Sequence, residues 1–217
     1  MKVGTDGVLL GAWVTVQPTD RRILDIGTGT GLIALMLAQR SEASTIVGVD
    51  LASVEEARWN GAQSPWKDRL HFEQSAIQHF QAEPFDLILS NPPFFVESLL
   101  CPDAGRTRAR HTVDLPFEEL RDAVVRLLAP RGRFALILPI EAGEQFTALC
   151  RGKLTLTRRT EVRTTPRHPA KRVLMEFTHA QTTIAPPPTE QLMIGTGEHE
   201  TYTPEYRALT GDFYLKF

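Results

Sequence analysis

Residues 91–94 of this 217-residue chain read Asn-Pro-Pro-Phe, directly after the apolar run FDLILS at 85–90. The Asn91 side-chain oxygen and the Pro92 carbonyl are two hydrogen-bond acceptors close together. The adjacent prolines stiffen the loop and remove an N–H donor that would compete for those acceptors. Phe94 adds an aromatic face on which a base can stack, worth about 1–3 kcal/mol. Such a set suits an amine whose lone pair is delocalised into a ring. Accepting both of its hydrogens draws the nitrogen towards tetrahedral geometry and frees the lone pair for attack on an electrophile.

A second group lies upstream, where Asp25-Ile26-Gly27-Thr28-Gly29-Thr30-Gly31 continues out of the apolar run at 22–27. Glycines at a strand-to-helix turn adopt positive φ and let the backbone approach a ligand. The spacing is GxGxG, and Leu32 stands where a dinucleotide-binding GxGxxG needs its third glycine, which argues against NAD. Asp50, 19 residues after Gly31 and at the end of another apolar run, can accept both hydrogen bonds of a ribose diol.

The segments that must position these residues alternate in type. Strands are predicted at 22–27, 45–50, 70–74, 85–90 and 133–138, and helices at 31–40, 53–63 and 116–129. The last helix has Pro116 at its start, Glu118 and Glu119 in its first turn and Arg126 near its end, matching the helix dipole. Parallel strands need crossovers, so the alternation implies a mostly parallel sheet with helices on both faces. Segments 154–163 and 171–179 are joined by a short turn-prone stretch (TTPRHP) and are expected to form an antiparallel hairpin at one edge. One domain over 1–217 is expected.

Composition is that of an ordinary globular chain, 42% hydrophobic and 23% charged, with no run of 18 apolar residues. The N-terminus lacks the cleavage pattern of a signal peptide, so a cytoplasmic protein is expected. Cys101 and Cys150 have no CxxC spacing, and the six histidines have no metal-ligand spacing, so no metal is expected. Net charge is −2, but residues 151–172 hold eight Lys or Arg against one acid, Glu161. With Arg106, Arg108 and Arg110, this stretch, including Arg167, Lys171 and Arg172, is expected to form a basic track for RNA phosphates. A solvated basic surface without a partner is the plain alternative.

The glycine loop and the strand-end acid resemble the first two motifs of S-adenosylmethionine (SAM) methyltransferases. The tetrapeptide Asn91–Phe94 matches the (N/D/S)PP(Y/F) motif of members that act on conjugated amino nitrogens. That resemblance implies an α/β fold, a seven-stranded, mostly parallel Rossmann-like sheet with an antiparallel edge hairpin. It also implies direct transfer of the SAM methyl, with no general base because the methylated amine loses its proton to water. In the family Leu51, after the acid, packs on the cofactor adenine, and Ser75 at the end of the third strand stands near the adenine amino group. MKVGTDGVLLGAW at 1–13, NPPFF at 91–95, Ala109-Arg110-His111, Lys171-Arg172 and the closing Tyr202…Tyr206…FYLKF are similar to the bacterial tRNA1(Val) (adenine(37)-N6)-methyltransferase family over nearly the whole chain. The similarity implies that Lys2, Thr5, Asp6 and Gly7 belong to a lid-like segment (1–20) beside the methionine end of SAM. Asp25, Gly27, Gly29, Asp50 and Asn91 would complete the cofactor site. Family members usually carry further residues ahead of KVGTDG, so the start here is expected to be truncated or misassigned. A tRNA acceptor is implied; the sequence leaves the oligomeric state open, with a monomer favoured. A guanine-N2 rRNA methyltransferase, a protein-glutamine methyltransferase and a non-catalytic RNA-binding module are the competing readings.

Overall fold

The computed structural model describes residues 4–93, 115–180, 185–199 and 201–215. The elements follow the chain as α1 (Thr5–Trp13), β1 (Arg22–Ile26), α2 (Leu32–Arg40), β2 (Thr45–Asp50), α3 (Glu55–Gln63), β3 (Leu70–Gln74) and β4 (Phe85–Ser90). Then come α4 (Phe117–Leu127), β5 (Leu128–Pro139), α5 (Ile140–Leu149), β6 (Leu154–Arg163), β7 (Arg172–His179), β8 (Thr189–Met193) and α6 (Pro204–Thr210).

The strands form one eight-stranded sheet in the order β3-β2-β1-β4-β5-β7-β6-β8. β1 to β5 are parallel, β7 is antiparallel to both β5 and β6, and β8 runs parallel to β6. Only β7 therefore runs against the rest. The expected hairpin of β6 and β7 is present, but it is not the edge. β8, which the sequence reading did not assign, covers β6 and brings the strand count to eight rather than seven. Its sequence TEQLM is short and polar and follows Pro186–Pro188, so it carries little strand signal on its own.

Side chains alternate across the sheet with period two. Leu24, Ile88, Phe134, Leu136, Val173 and Met175 face one layer with α4 and with Phe146 of α5. Ile23, Leu87, Leu89, Ala135, Ile137 and Leu174 face the other, with α1 and α2. Because β4 and β5 are covered on both faces, their buried stretches Leu87–Leu89 and Phe134–Leu138 are unbroken apolar runs. Among the described residues no helix is long and apolar enough to cross a membrane.

Within the N-terminal segment expected to be lid-like, residues 5–13 form a packed helix with Gly7–Trp13 all buried. Glycines bring it onto α2: a Cβ on Gly11 would stand 2.8 Å from Met36 Sδ. Three arginines secure its far end. Arg40 Nη1 and Nη2 donate to the carbonyls of Gly11 and Val14 (2.5 and 3.0 Å), and Arg158 Nη1 donates to Trp13 O (3.2 Å). Arg133, buried in β5, donates to Thr15 O and to Asp20 Oδ2, both at 2.5 Å. Carbonyls at a helix C-terminus lack intrahelical partners, and these guanidinium groups supply them.

Close packing beside the glycine loop is sharpest at Gly48 in β2. A Cβ there would lie 2.6 Å from both Phe72 Cδ1 and Thr28 Oγ1. Gly48→Ala is therefore expected to destabilise the fold by about 1–3 kcal/mol, read as a lower urea midpoint with an unchanged slope. A wild-type midpoint would mean that Phe72 yields freely.

Candidate active site

The chain crosses the sheet between β3 and β4, and β4 settles on the opposite side of β1 from β2. This reversal of strand order opens a crevice at the carboxyl ends of β1 and β4, the usual ligand position in an open α/β sheet. The registers align the motifs there: Ile26 pairs with Val49 and with Ser90, and Asp50 with Gln74. A cleft of about 1020 Å³ occupies the place. Its lining includes Gly4–Gly7, Ile26–Thr30, Asp50–Ser53, Ser75–Gln78 and Ser90–Pro93.

The glycine loop has left-handed φ at Gly27 (74°), Gly29 (55°) and Gly31 (81°). A Cβ on Gly27 would meet nothing within 4 Å, so this backbone faces open space in the cleft. Gly31 serves differently. A Cβ there would come within 3.1 Å of Phe72 and 3.2 Å of Ala57, so this glycine permits packing.

Asp25 does not line the cleft. It is fully buried beneath the loop, where its Oδ2 accepts a hydrogen bond from Thr28 Oγ1 (2.7 Å), with the backbone of Ala34 in the first turn of α2 close by. Burial pushes its carboxyl up from 3.8 to about 7, and the charge of Asp50 adds to the rise. The contact expected of Asp25 with a cofactor is replaced by a supporting role: it fixes Thr28 and meets the amide dipoles of α2. A helix N-terminus already facing a carboxyl group is a poor seat for a phosphate.

Asp50 does line the cleft. Its Oδ2 accepts from Gly29 N–H and its Oδ1 from Ala52 N–H, each at 2.9 Å. The carboxylate is thereby fixed on both sides while each oxygen keeps a further acceptor site. Leu51, 57% exposed, lies on the cleft wall, an apolar side chain placed for a flat ring. Ser75 and Gln78 line the same end. With Asp6 and Glu56 the lining carries three carboxylates and, among the described residues, no Lys or Arg. A ligand with positive charge and hydroxyl donors fits this wall, and a polyanion does not.

Asn91 and Pro92 stand opposite the glycine loop. Ser90, fully buried, ties the two together by donating from Oγ to Ile26 O (2.9 Å). Sequence reasoning missed Ser90 and Thr28, whose small hydroxyls act only through neighbours that the fold brings in. Phe94, Lys2, Arg106, Arg108 and Arg110 lie outside the described residues. Among the described residues no group of three or more His, Cys, Asp or Glu is placed to hold a metal ion.

The basic stretch departs from expectation. Lys153 pairs with Asp122, Arg158 with Glu190, and Arg159 with Glu144 and Glu161. Arg158 also lies over Trp13, 4.2 Å from the ring centroid. Arg172 pairs with Asp6. Much of the expected phosphate track is thus engaged inside the protein, while Arg167 and Lys171 stand exposed on the turn between β6 and β7.

Comparison with known proteins agrees with this geometry. The family model described as methyltransferase small domain matches residues 5–106. The chain is 48% identical over 218 residues to a tRNA1(Val) (adenine(37)-N6)-methyltransferase of Phocaeicola vulgatus, covering 99% of this chain and 91% of that one. It is 44% identical to the protein of the same name from Bacteroides thetaiotaomicron, covering 99% and 91%. A crystal structure of a predicted O-methyltransferase from Agrobacterium tumefaciens superposes with a TM-score of 0.70 at 16% identity, covering 95% of this chain and 96% of the other.

Asp25 generates a pH prediction. The folded carboxyl holds its proton up to about pH 7, and the unfolded chain releases it near 3.8. Between those values the folded state binds more protons, so this group's stabilisation is complete below 3.8 and lost as pH rises through 7. Asp25→Asn is expected to flatten that limb of the urea midpoint plotted against pH. A variant profile as steep as wild type would place the titration elsewhere.

Proposed function

The chain belongs to the tRNA1(Val) (adenine(37)-N6)-methyltransferase family, and from that premise we propose that it moves the SAM methyl group to N6 of adenosine 37 in tRNA1(Val). The observation that carries this reading is the Ser90–Ile26 hydrogen bond, which sets the Asn91-Pro92 acceptors against the glycine loop. The reaction needs an acceptor amine and a methyl donor in one cleft, and these two motifs are the ends of neighbouring strands.

SAM suits the cleft on chemical grounds. It carries a sulfonium and an ammonium, a ribose diol and an adenine, and the wall offers carboxylates, the fixed Asp50 and the apolar Leu51. The open space over Gly27 is the kind of cradle that any side chain would fill. Asp50 is assigned to the ribose diol, Leu51 to one face of the cofactor adenine and Ser75 to its edge. Gly27 and Gly29 give the close backbone approach, with Thr5, Asp6 and Gly7 on the methionine side.

SAM, when bound, supplies an electrophilic methyl on sulfur. The protein orients the acceptor. Asn91 Oδ1 and Pro92 O accept the two N6 hydrogens, which raises the electron density available at nitrogen and aligns its lone pair with the cleft. The N–C bond forms as the C–S bond breaks, and the nitrogen then loses one proton to water. Phe94 is assigned as the stacking face for the adenine, which must leave its stack to reach the cleft. The exposed Arg167 and Lys171 are assigned to tRNA phosphates, together with Arg106, Arg108 and Arg110. An enzyme with this acceptor works in the cytoplasm, with 1–217 as a single catalytic domain.

Two substitutions separate cofactor from acceptor. Asp50→Ala removes a charged acceptor worth about 1.5–3 kcal/mol, so SAM affinity measured by calorimetry is expected to fall about tenfold or more. Unchanged affinity would remove the ribose from this residue. Asn91→Ala is expected to lower methyl transfer by about 10²–10³ while SAM binding stays near wild type. The product is read by mass spectrometry of nucleosides from treated tRNA. Full activity in Asn91→Ala would sink the amine mechanism, and methylation at guanine N2 alone would move the protein to an rRNA reading.

A further inference from the structure

β7 is the one reversed strand, so its first residue comes to the sheet edge where the other strands end. Arg172 accordingly pairs in register with Pro139, the last residue of β5. From this position its Nε donates to Asp6 Oδ2 at 2.8 Å, and its Nη1 donates to Lys171 O at 3.2 Å. The side chains are 31% and 25% exposed, so solvent screens the pair less than it would a surface contact. Asp6 lies in the first turn of α1 and on the cleft wall.

That turn has a weakness. Gly4 occupies the N-cap of α1 and provides no side-chain cap. The first amides of a helix have no intrahelical acceptor, and here no N-cap side chain supplies one. Asp6 is the second residue of α1, so its carboxylate stands within this uncapped turn. Arg172 holds one oxygen from outside the helix, and a carboxylate keeps spare lone pairs on both oxygens.

We propose that Arg172 is a cofactor-positioning residue: acting through Asp6, it fixes the first turn of α1 as a wall of the SAM site. The hairpin beyond β5 thereby forms part of the cofactor pocket, where sequence reasoning had given Arg172 to RNA phosphate. This inference rests on the cleft being the SAM site and is independent of which RNA is methylated.

The two roles for Arg172 move different observables. SAM binding to the full chain is measured first by calorimetry; a wild-type protein that does not bind SAM refutes the cofactor reading itself. Given binding, Arg172→Ala is expected to raise the SAM Kd about three- to tenfold. KM for SAM should rise in step, with kcat at saturating SAM and KM for tRNA close to wild type. Arg172→Lys keeps the charge without the fixed Nε–H and is expected to recover part of the loss. The double variant Asp6→Asn/Arg172→Ala should bind SAM no more weakly than Asp6→Asn alone, because the arginine acts through that carboxylate. If the alanine variant does not fold, Arg172→Gln retains the stem and carries the same comparisons. Unchanged SAM affinity with a raised KM for tRNA would return Arg172 to phosphate binding and overturn the proposal. Additive losses in the double variant would overturn it as well.

Discussion

The cleft depends on a single backbone requirement, the left-handed turn that carries β1 into α2. Three glycines with positive φ within five residues let the chain reverse without side chains filling the space above the strand ends. Such a loop is floppy by composition, because glycine has the most conformational freedom to lose on folding. The fold restrains it from both sides. Val49 O accepts from the amides of Gly27 and Thr28 at 2.8 and 3.2 Å, and Asp50 accepts from Gly29. Underneath, Asp25 holds Thr28, and Asn60 Nδ2 donates to Thr30 O at 2.9 Å. Chain permissiveness at the glycines and rigid polar anchoring around them are two parts of one solution.

Charge is distributed with the same economy. The cleft presents carboxylates, whereas the arginines Arg40, Arg158 and Arg172 turn to the carbonyls or carboxylate of α1. Guanidinium suits this work because its planar donors satisfy several oxygens at once without much loss of further freedom. Trp13 joins the same arrangement, donating from Nε1 to Thr160 Oγ1 at 2.9 Å while Arg158 lies over its ring. The consequence is that β6, β7 and β8 are fastened to the N-terminal helix as well as to the sheet. A basic count taken along the chain therefore overstates the positive surface, because the acids that neutralise it come from distant segments: Asp6, Asp122, Glu144 and Glu190.

What was legible in the sequence follows from the range of each interaction. The strands from β1 to β5, the crossover helices α2 to α4 and the hairpin of β6 and β7 were readable because apolar run length, glycine and proline act locally. Asp50 and Asn91 were readable because strand ends announce themselves in the sequence. α5 and β8 were not read. Ile140–Leu149 follows Pro139 without a break, and Thr189–Met193 is a strand only because β6 offers it an edge. Asp25 illustrates the intermediate case. Its place beside the glycine loop was evident, but whether its carboxyl faced the ligand or the protein interior depended on packing from α2, which a pattern of residue types does not encode.

The reversed strand explains how a core of general design acquires a specific surface. In β1 to β5 every strand delivers its carboxyl end to one edge, so that edge collects loops that begin where strands stop. β7 delivers its amino end there instead, preceded by the turn that bears Arg167 and Lys171. A single antiparallel insertion therefore brings the turn with its exposed basic side chains to the edge where β5 ends, while the next residue along, Arg172, reaches Asp6 on the cleft wall. Lys171 O, the Arg172 guanidinium and the Asp6 carboxylate form one chain of hydrogen bonds from that turn to the first turn of α1.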